Sequence, residues 1–218
     1  MGKVTVILGH YGSGKTQFAV NYALYLAGLH KNVILADLDI VNPYFRASDS
    51  SEPLKSRGVR LIASEFAGSS LDASVIPPAA QAAFDDPEAR AVFDVGGDDS
   101  GALALGRYAG NLGGASVWMV INRFRPMTSA VDGALSVMRG IEAASRVKVN
   151  GLINNSNLGA ETTAEDIISS NTYAAEVSAA SGLPVVMTAV CERLYDEVSQ
   201  NVPSPFKLII YPKKAWKL

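Results

Sequence analysis

The sequence predicts an α/β fold: a doubly wound, mostly parallel sheet of about seven to eight strands, with helices on both faces. Three observations point that way. Apolar β-rich runs alternate with longer helical patterns along the whole chain. Most of these runs are continuously apolar rather than alternating, as in parallel strands covered by helices on both sides. The first run, Val4–Leu8, passes through a glycine-rich turn directly into a helical pattern, the order that βαβ units require.

Taken in order, strands are expected near Lys3–Leu8, Asn32–Asp37, Val59–Ser64, Ala91–Val95, Ala115–Asn122, Val147–Asn154, Pro184–Val190 and Lys207–Tyr211. Helices are expected between them near Lys15–Leu29, Ala79–Phe84, Ser100–Asn111, Met127–Ser145, Thr163–Ser181 and Glu192–Gln200. No internal repeat or low-complexity linker interrupts the pattern, so residues 1–218 read as one domain. The least regular stretch, Pro43 to Pro87, is rich in proline and small residues. It reads as a switch or docking segment, or as a plain surface connection.

Composition narrows the function. Apolar residues make up 48% of the chain, charged residues 18%, and the net charge is −2. That balance carries no polyelectrolyte footprint, and no nucleic-acid partner is expected. Cys191 is the single cysteine, and His10 and His30 are the only histidines. A disulfide framework is ruled out, and a zinc or iron–sulfur site built by one chain is disfavoured. No signal segment or membrane-length apolar run is present, and a cytoplasmic protein is expected.

The segment Gly9-His10-Tyr11-Gly12-Ser13-Gly14-Lys15-Thr16 matches the phosphate-binding pattern G-x-x-x-x-G-K-[ST] in its required strand–turn–helix setting. Its glycines let consecutive backbone N–H groups face an anion, and the following helix adds its positive end. Expected contacts are Gly9, Gly12, Ser13, Gly14, Lys15, Thr16 and Gln17, with Lys15 on the terminal phosphates and Thr16 on Mg²⁺. Asp37 and Asp39 leave the second strand at i and i+2, pointing the same way toward the ligand crevice. They are candidates for the metal's water shell and for orienting the attacking water. The run Ala91-Val92-Phe93 ends in Asp94, a second metal-side carboxylate, and Gly97 would bring its N–H toward the γ-phosphate.

These motifs, with Asn42-Pro43, Arg46 and Gly151-Leu152-Ile153-Asn154-Asn155-Ser156, resemble the MinD/ParA class of phosphate-loop ATPases. The wider group includes the nitrogenase iron protein and the CobB/dethiobiotin-synthetase enzymes. The resemblance implies ATP and Mg²⁺ as cofactors, with Lys15 and Asp39 as catalytic residues. Asp37, Asp94 and Thr16 would lie on the metal side, and Asn155 would read adenine. It also implies an ATP-dependent switch acting on a protein partner, with a nucleotide-dependent homodimer. The guanine-reading N-K-x-D is absent; Asn155-Ser156-Asn157-Leu158 stands in its place.

One position departs from the family. Its usual G-K-G-G-x-G-K-[ST] carries a lysine that crosses to a partner's nucleotide, and here His10 occupies that position. The departure leans toward a second class, ATP-dependent ligases of the CobB/dethiobiotin-synthetase kind. A non-catalytic nucleotide-dependent scaffold is a third reading. Arg123 and Arg125 end the fifth strand on the ligand edge, where they either contact an acidic group or form a solvated turn. No second cation in cis is evident, so slow turnover without a partner is expected. Cys191 reads as a buried structural residue. The basic tail after Tyr211 is too short for a membrane helix, and a membrane role is not expected.

Overall fold

The computed structural model describes residues 2–38, 47, 51–63, 78–97 and 99–211. Among the described residues, eight parallel strands form a single sheet in the order β3-β2-β4-β1-β5-β6-β7-β8. The strands are β1 Val4–Leu8, β2 Val33–Leu38, β3 Val59–Ala63, β4 Arg90–Val95, β5 Ser116–Ile121, β6 Gly151–Asn154, β7 Val185–Cys191 and β8 Pro205–Leu208. The helices are α1 Lys15–Ala27, α2 Ser51–Ser56, α3 Pro78–Asp85, α4 Asp99–Gly106, α5 Val131–Ser145, α6 Ala164–Ser181 and α7 Tyr195–Val198.

The central strands bury both faces, which explains why they read as unbroken apolar runs. Val4, Val6 and Leu8 of β1 join Ala91, Phe93 and Val95 of β4 in one core with residues of α4, α5 and α6. Ile7, Val92 and Trp118 pack on the other side against Phe18, Tyr22 and Leu26 of α1. On that second face Tyr22 meets Trp118 edge-on at 5.2 Å. Successive residues alternate between two cores because side chains along a strand point to opposite faces.

Several element boundaries move from their expected places. β6 starts at Gly151 rather than Val147, because side chains take the backbone groups ahead of it. Val149 N–H donates to Glu142 Oε1 at 3.0 Å. The Asn150 amide accepts from Val117 N–H and donates to the Ala115 carbonyl, both at 2.8 Å. The last strand is displaced to Pro205–Leu208 because the chain leaves the sheet at Ile209 to clasp α1. Asn21 Oδ1 accepts from Ile209 N–H at 2.8 Å, and Asn21 Nδ2 donates to the Ile209 carbonyl at 3.0 Å. The expected helix Ser100–Asn111 ends at Gly106, followed by a 3-10 turn at Ala109–Asn111. Glu192–Gln200 likewise splits into a 3-10 turn, Glu192–Leu194, and the short α7. Within the irregular stretch, α2 was not expected. No helix among the described residues is long and apolar enough to cross a membrane.

The strand order reverses at β1. Its neighbours β4 and β5 belong to the two opposite halves of the sheet, and β2 lies beyond β4. At such a switch point the carboxyl ends of the strands open a crevice, the ordinary ligand position in open α/β sheets.

Candidate functional site

The phosphate loop fills that crevice. Gly12 and Gly14 adopt left-handed conformations, φ 74° and 89°, which side chains rarely tolerate. Gly14 caps α1, and Phe18 N–H bonds its carbonyl at 3.0 Å to start the helix. The first N–H groups of α1 have no acceptor within the helix and point at the crevice. Ser13 N–H closes the loop on the His10 carbonyl at 3.1 Å. Ser13, Lys15 and Thr16 are all buried. The Ser13 hydroxyl has no hydrogen-bond partner among the described residues. Outside the loop's turn, His10 Nδ1 donates to the Tyr11 carbonyl at 3.0 Å.

Backbone packing holds the loop from two sides. A Cβ on Gly97 would strike Gly9 O and come within 2.8 Å of Tyr11 N. Gly97 therefore approaches the phosphate loop's own backbone, a close approach beyond the expected one to a phosphate. A Cβ on Gly14 would collide with the Asn155 side chain. Asn155 is buried and donates from Nδ2 to the Ser13 carbonyl at 2.7 Å. It thus ties the end of β6 to the loop, a contact not foreseen from the sequence.

Asp94 and Asp37 are Cα partners across β4 and β2, and both are buried. Asp37 Oδ2 accepts from Ala47 N–H at 3.0 Å, anchoring the chain beyond β2. Asp39, Asn42, Pro43 and Arg46 lie outside the described residues. Thr16, Asp37 and Asp94 supply the hard oxygen donors that Mg²⁺ prefers. No three His, Cys, Asp or Glu side chains cluster around a metal among the described residues. The donor set fits an ion bound through one or two carboxylates together with phosphate oxygens and water.

Beside Gly14 and Gln17 a cavity of about 470 Å³ opens across the ends of β6, β7 and β8. Asn155, Asn157, Ala189, Cys191, Arg193 and Ile209 line it. Gln17 Nε2 donates to the Ile209 carbonyl at 2.7 Å, so its amide helps build the cavity wall. Cys191 is half-buried at this wall, not a core residue as expected, because it is the last residue of β7, at the carboxyl end where the cavity opens.

The loops around this cavity are held by asparagines and hydroxyls, in bracing contacts that no sequence motif announces. Asn122 is fully buried, and its Oδ1 accepts from Phe124 N–H at 2.9 Å and Asn157 N–H at 3.3 Å. Asn154 donates to Ser170 Oγ at 2.9 Å and accepts from Ser156 Oγ at 2.8 Å. Arg193 donates to the carbonyls of Ala160 and Thr162. Tyr173 donates to the Thr128 carbonyl. Burial pushes its hydroxyl up to about 12, the nearby Arg123 charge only partly opposing that. The readable signal was polarity out of place: asparagine at strand ends and in the apolar face of α1.

No known protein-family model matches the chain, and no curated protein sequence matches it significantly. Solved structures do match. The cell division protein FtsY of Thermotoga maritima aligns with a TM-score of 0.56 at 17% identity, covering 86% of this chain and 61% of that one. The signal recognition particle receptor FtsY of Elizabethkingia anophelis, in complex with GDP, aligns with 0.56 at 15%, covering 87% and 57%. The signal recognition particle 54 kDa protein of Aeropyrum pernix, also in complex with GDP, aligns with 0.55 at 16%, covering 84% and 40%. The chain spans at most about three-fifths of those proteins. At these identities the likeness shows the fold, that of phosphate-loop nucleoside triphosphatases.

Proposed function

We propose that the protein is a MgATP-binding switch ATPase of the MinD/ParA type, folded as one domain and coupling nucleotide state to a protein partner. The observation that carries the reading is the phosphate loop at the sheet's switch point, flanked by the aligned carboxylates Asp37 and Asp94. Loop amides and Lys15 hold the phosphate chain. Mg²⁺, when bound, would supply positive charge against the phosphate oxygens. Thr16, Asp37 and Asp94 are the groups that would hold it, and Asp39 would orient the attacking water.

The nucleoside enters the cavity beside Gly14, whose volume lies in the ordinary range for small-molecule sites, roughly 300–1,000 Å³. Asn155 and Asn157 line it, and each amide donates one N–H to a main-chain carbonyl and has a second to offer. An amide's paired donor and acceptor suits adenine, and Leu158 replaces the aspartate of the guanine signature. Tyr11, Met127, Leu158 and Ile210 surround the same edge and are 55%, 54%, 44% and 62% exposed. Large apolar groups ringing a ligand site suit a partner face, either another protein or a second copy of this chain.

Calorimetry with MgATP and MgGTP tests the reading. MgATP should bind, and Lys15→Ala should weaken it by at least about tenfold, the worth of one charge-assisted hydrogen bond. Unchanged affinity in that variant would sink the assignment. The GDP found in two structural neighbours favours a second reading, a guanine-nucleotide switch. Tighter binding of MgGTP than of MgATP would select it.

A further inference from the structure

Arg125 lies on the turn after β5, on a backbone fixed at several points. Its N–H donates to the Asn122 carbonyl at 3.1 Å, and its carbonyl accepts from Thr128 N–H at 2.9 Å. Thr128 Oγ1 adds a bond to the Asn122 carbonyl at 2.7 Å. So anchored, the side chain lies against the phosphate loop: Arg125 Nε is 3.9 Å from where a Cβ on Gly12 would stand.

That nitrogen is buried and has no hydrogen-bond partner among the described residues. The other arginines at this edge are engaged. Arg193 donates to two carbonyls, and Arg123 stacks over the Phe124 ring at 5.6 Å. A desolvated guanidinium donor left without an acceptor is costly, so such groups are found where an acceptor arrives. Here the neighbouring surface is a loop of amides shaped for an anion.

We propose that Arg125 is a phosphate ligand, reaching over Gly12 to donate to an oxygen of the nucleotide held by the same chain. The proposal rests on the phosphate-binding reading of Gly9–Thr16 and adds a second cation, in cis, to Lys15. Arginine suits the role because it stays charged and offers several donors in a planar fork. Gly12 suits it because it leaves open the space between loop and guanidinium, where a Cβ would already be in van der Waals contact.

The test uses magnesium with inorganic triphosphate, which removes any dependence on the base. Arg125→Gln should weaken binding roughly ten- to hundredfold and make it less sensitive to ionic strength. Arg125→Lys should recover part of the loss. Arg123→Gln should bind as the unaltered protein does. Thermal unfolding should be the same in all. Arg125→Gln binding within about twofold of the unaltered protein, while Lys15→Ala loses binding, would overturn the Arg125 role and leave the phosphate loop standing. A loss in Arg125→Gln accompanied by a lowered unfolding midpoint, with no recovery by lysine, would also overturn it. Unaltered protein that binds no triphosphate would overturn the phosphate-binding reading as well.

Discussion

The two halves of the candidate site are built by opposite means. The phosphate half, Gly9–Thr16 on β1 and α1, is made of backbone: left-handed glycines, helix-end amides, and the tight approach of Gly97. The half proposed for the nucleoside, at the ends of β5 to β8, is made of side chains that hold loops. Asn122, Asn154, Asn155 and Asn157 bond main-chain groups or nearby hydroxyls. A backbone nest depends on conformation, so it tolerates no added Cβ. A side-chain scaffold depends on polar pairing, so it tolerates shape changes but not an unpaired donor. Gly14 and Asn155 are where the halves touch.

Gly14→Ala should do the most damage because it strikes both halves at once. It places a side chain at φ 89° and drives it into Asn155. The cost should be about 3–4 kcal/mol of unfolding free energy, with triphosphate affinity lost. A chemical denaturation midpoint near that of the unaltered protein would show that the halves do not bear on each other there.

Asn122→Ala should separate them. Two part-buried N–H groups, of Phe124 and Asn157, lose their shared acceptor on the fully buried Asn122, for about 2–3 kcal/mol. MgATP affinity should fall more than inorganic triphosphate affinity, since the phosphate half is intact. Equal losses for both ligands would mean that the division is wrong.

Tyr173→Phe removes a single buried donor from the scaffold and should cost about 1 kcal/mol. It should also change the response to alkali. The Tyr173 hydroxyl is raised from 10 to about 12 in the folded protein. Its contribution is whole below pH 10 and drains as the pH climbs through 12. The phenylalanine variant should lose stability less steeply over that interval in denaturation at fixed pH, and an unchanged slope would place the alkaline loss elsewhere.

The smallest effect is expected at the start of α6. Thr163 and Asp166 form a capping box, and the bonds from Thr163 lower the Asp166 carboxyl below its usual 3.8. The cap is complete above pH 3.8 and is lost as the pH falls through the lowered value. Amide exchange in the first turn of α6 should speed up there, and Asp166→Asn should remove the pH dependence. A dependence that survives the substitution would assign it to another carboxylate.

Much of the fold was legible in the sequence because its signals are local. Apolar runs such as Val4–Leu8 and Ala91–Val95 show where strands are buried on both faces. The pattern G-x-x-x-x-G-K-T records backbone conformations within a few residues of one another. Boundaries moved where a distant side chain captured the backbone. Asn150 took the ladder positions ahead of β6, and Asn21 drew Ile209 out of the last strand.

By itself, then, the sequence determined the alternating α/β pattern, the phosphate loop and the carboxylates at the ends of β2 and β4. Each is encoded by neighbouring residues or by periodicity along one element. Tertiary structure alone decided that Asn155 braces Ser13 across 142 positions of chain, that Gly97 packs on the loop's backbone, and that Arg125 comes to rest beside Gly12. Such contacts join residues through space, where strand order sets who meets whom, and no local propensity carries that information.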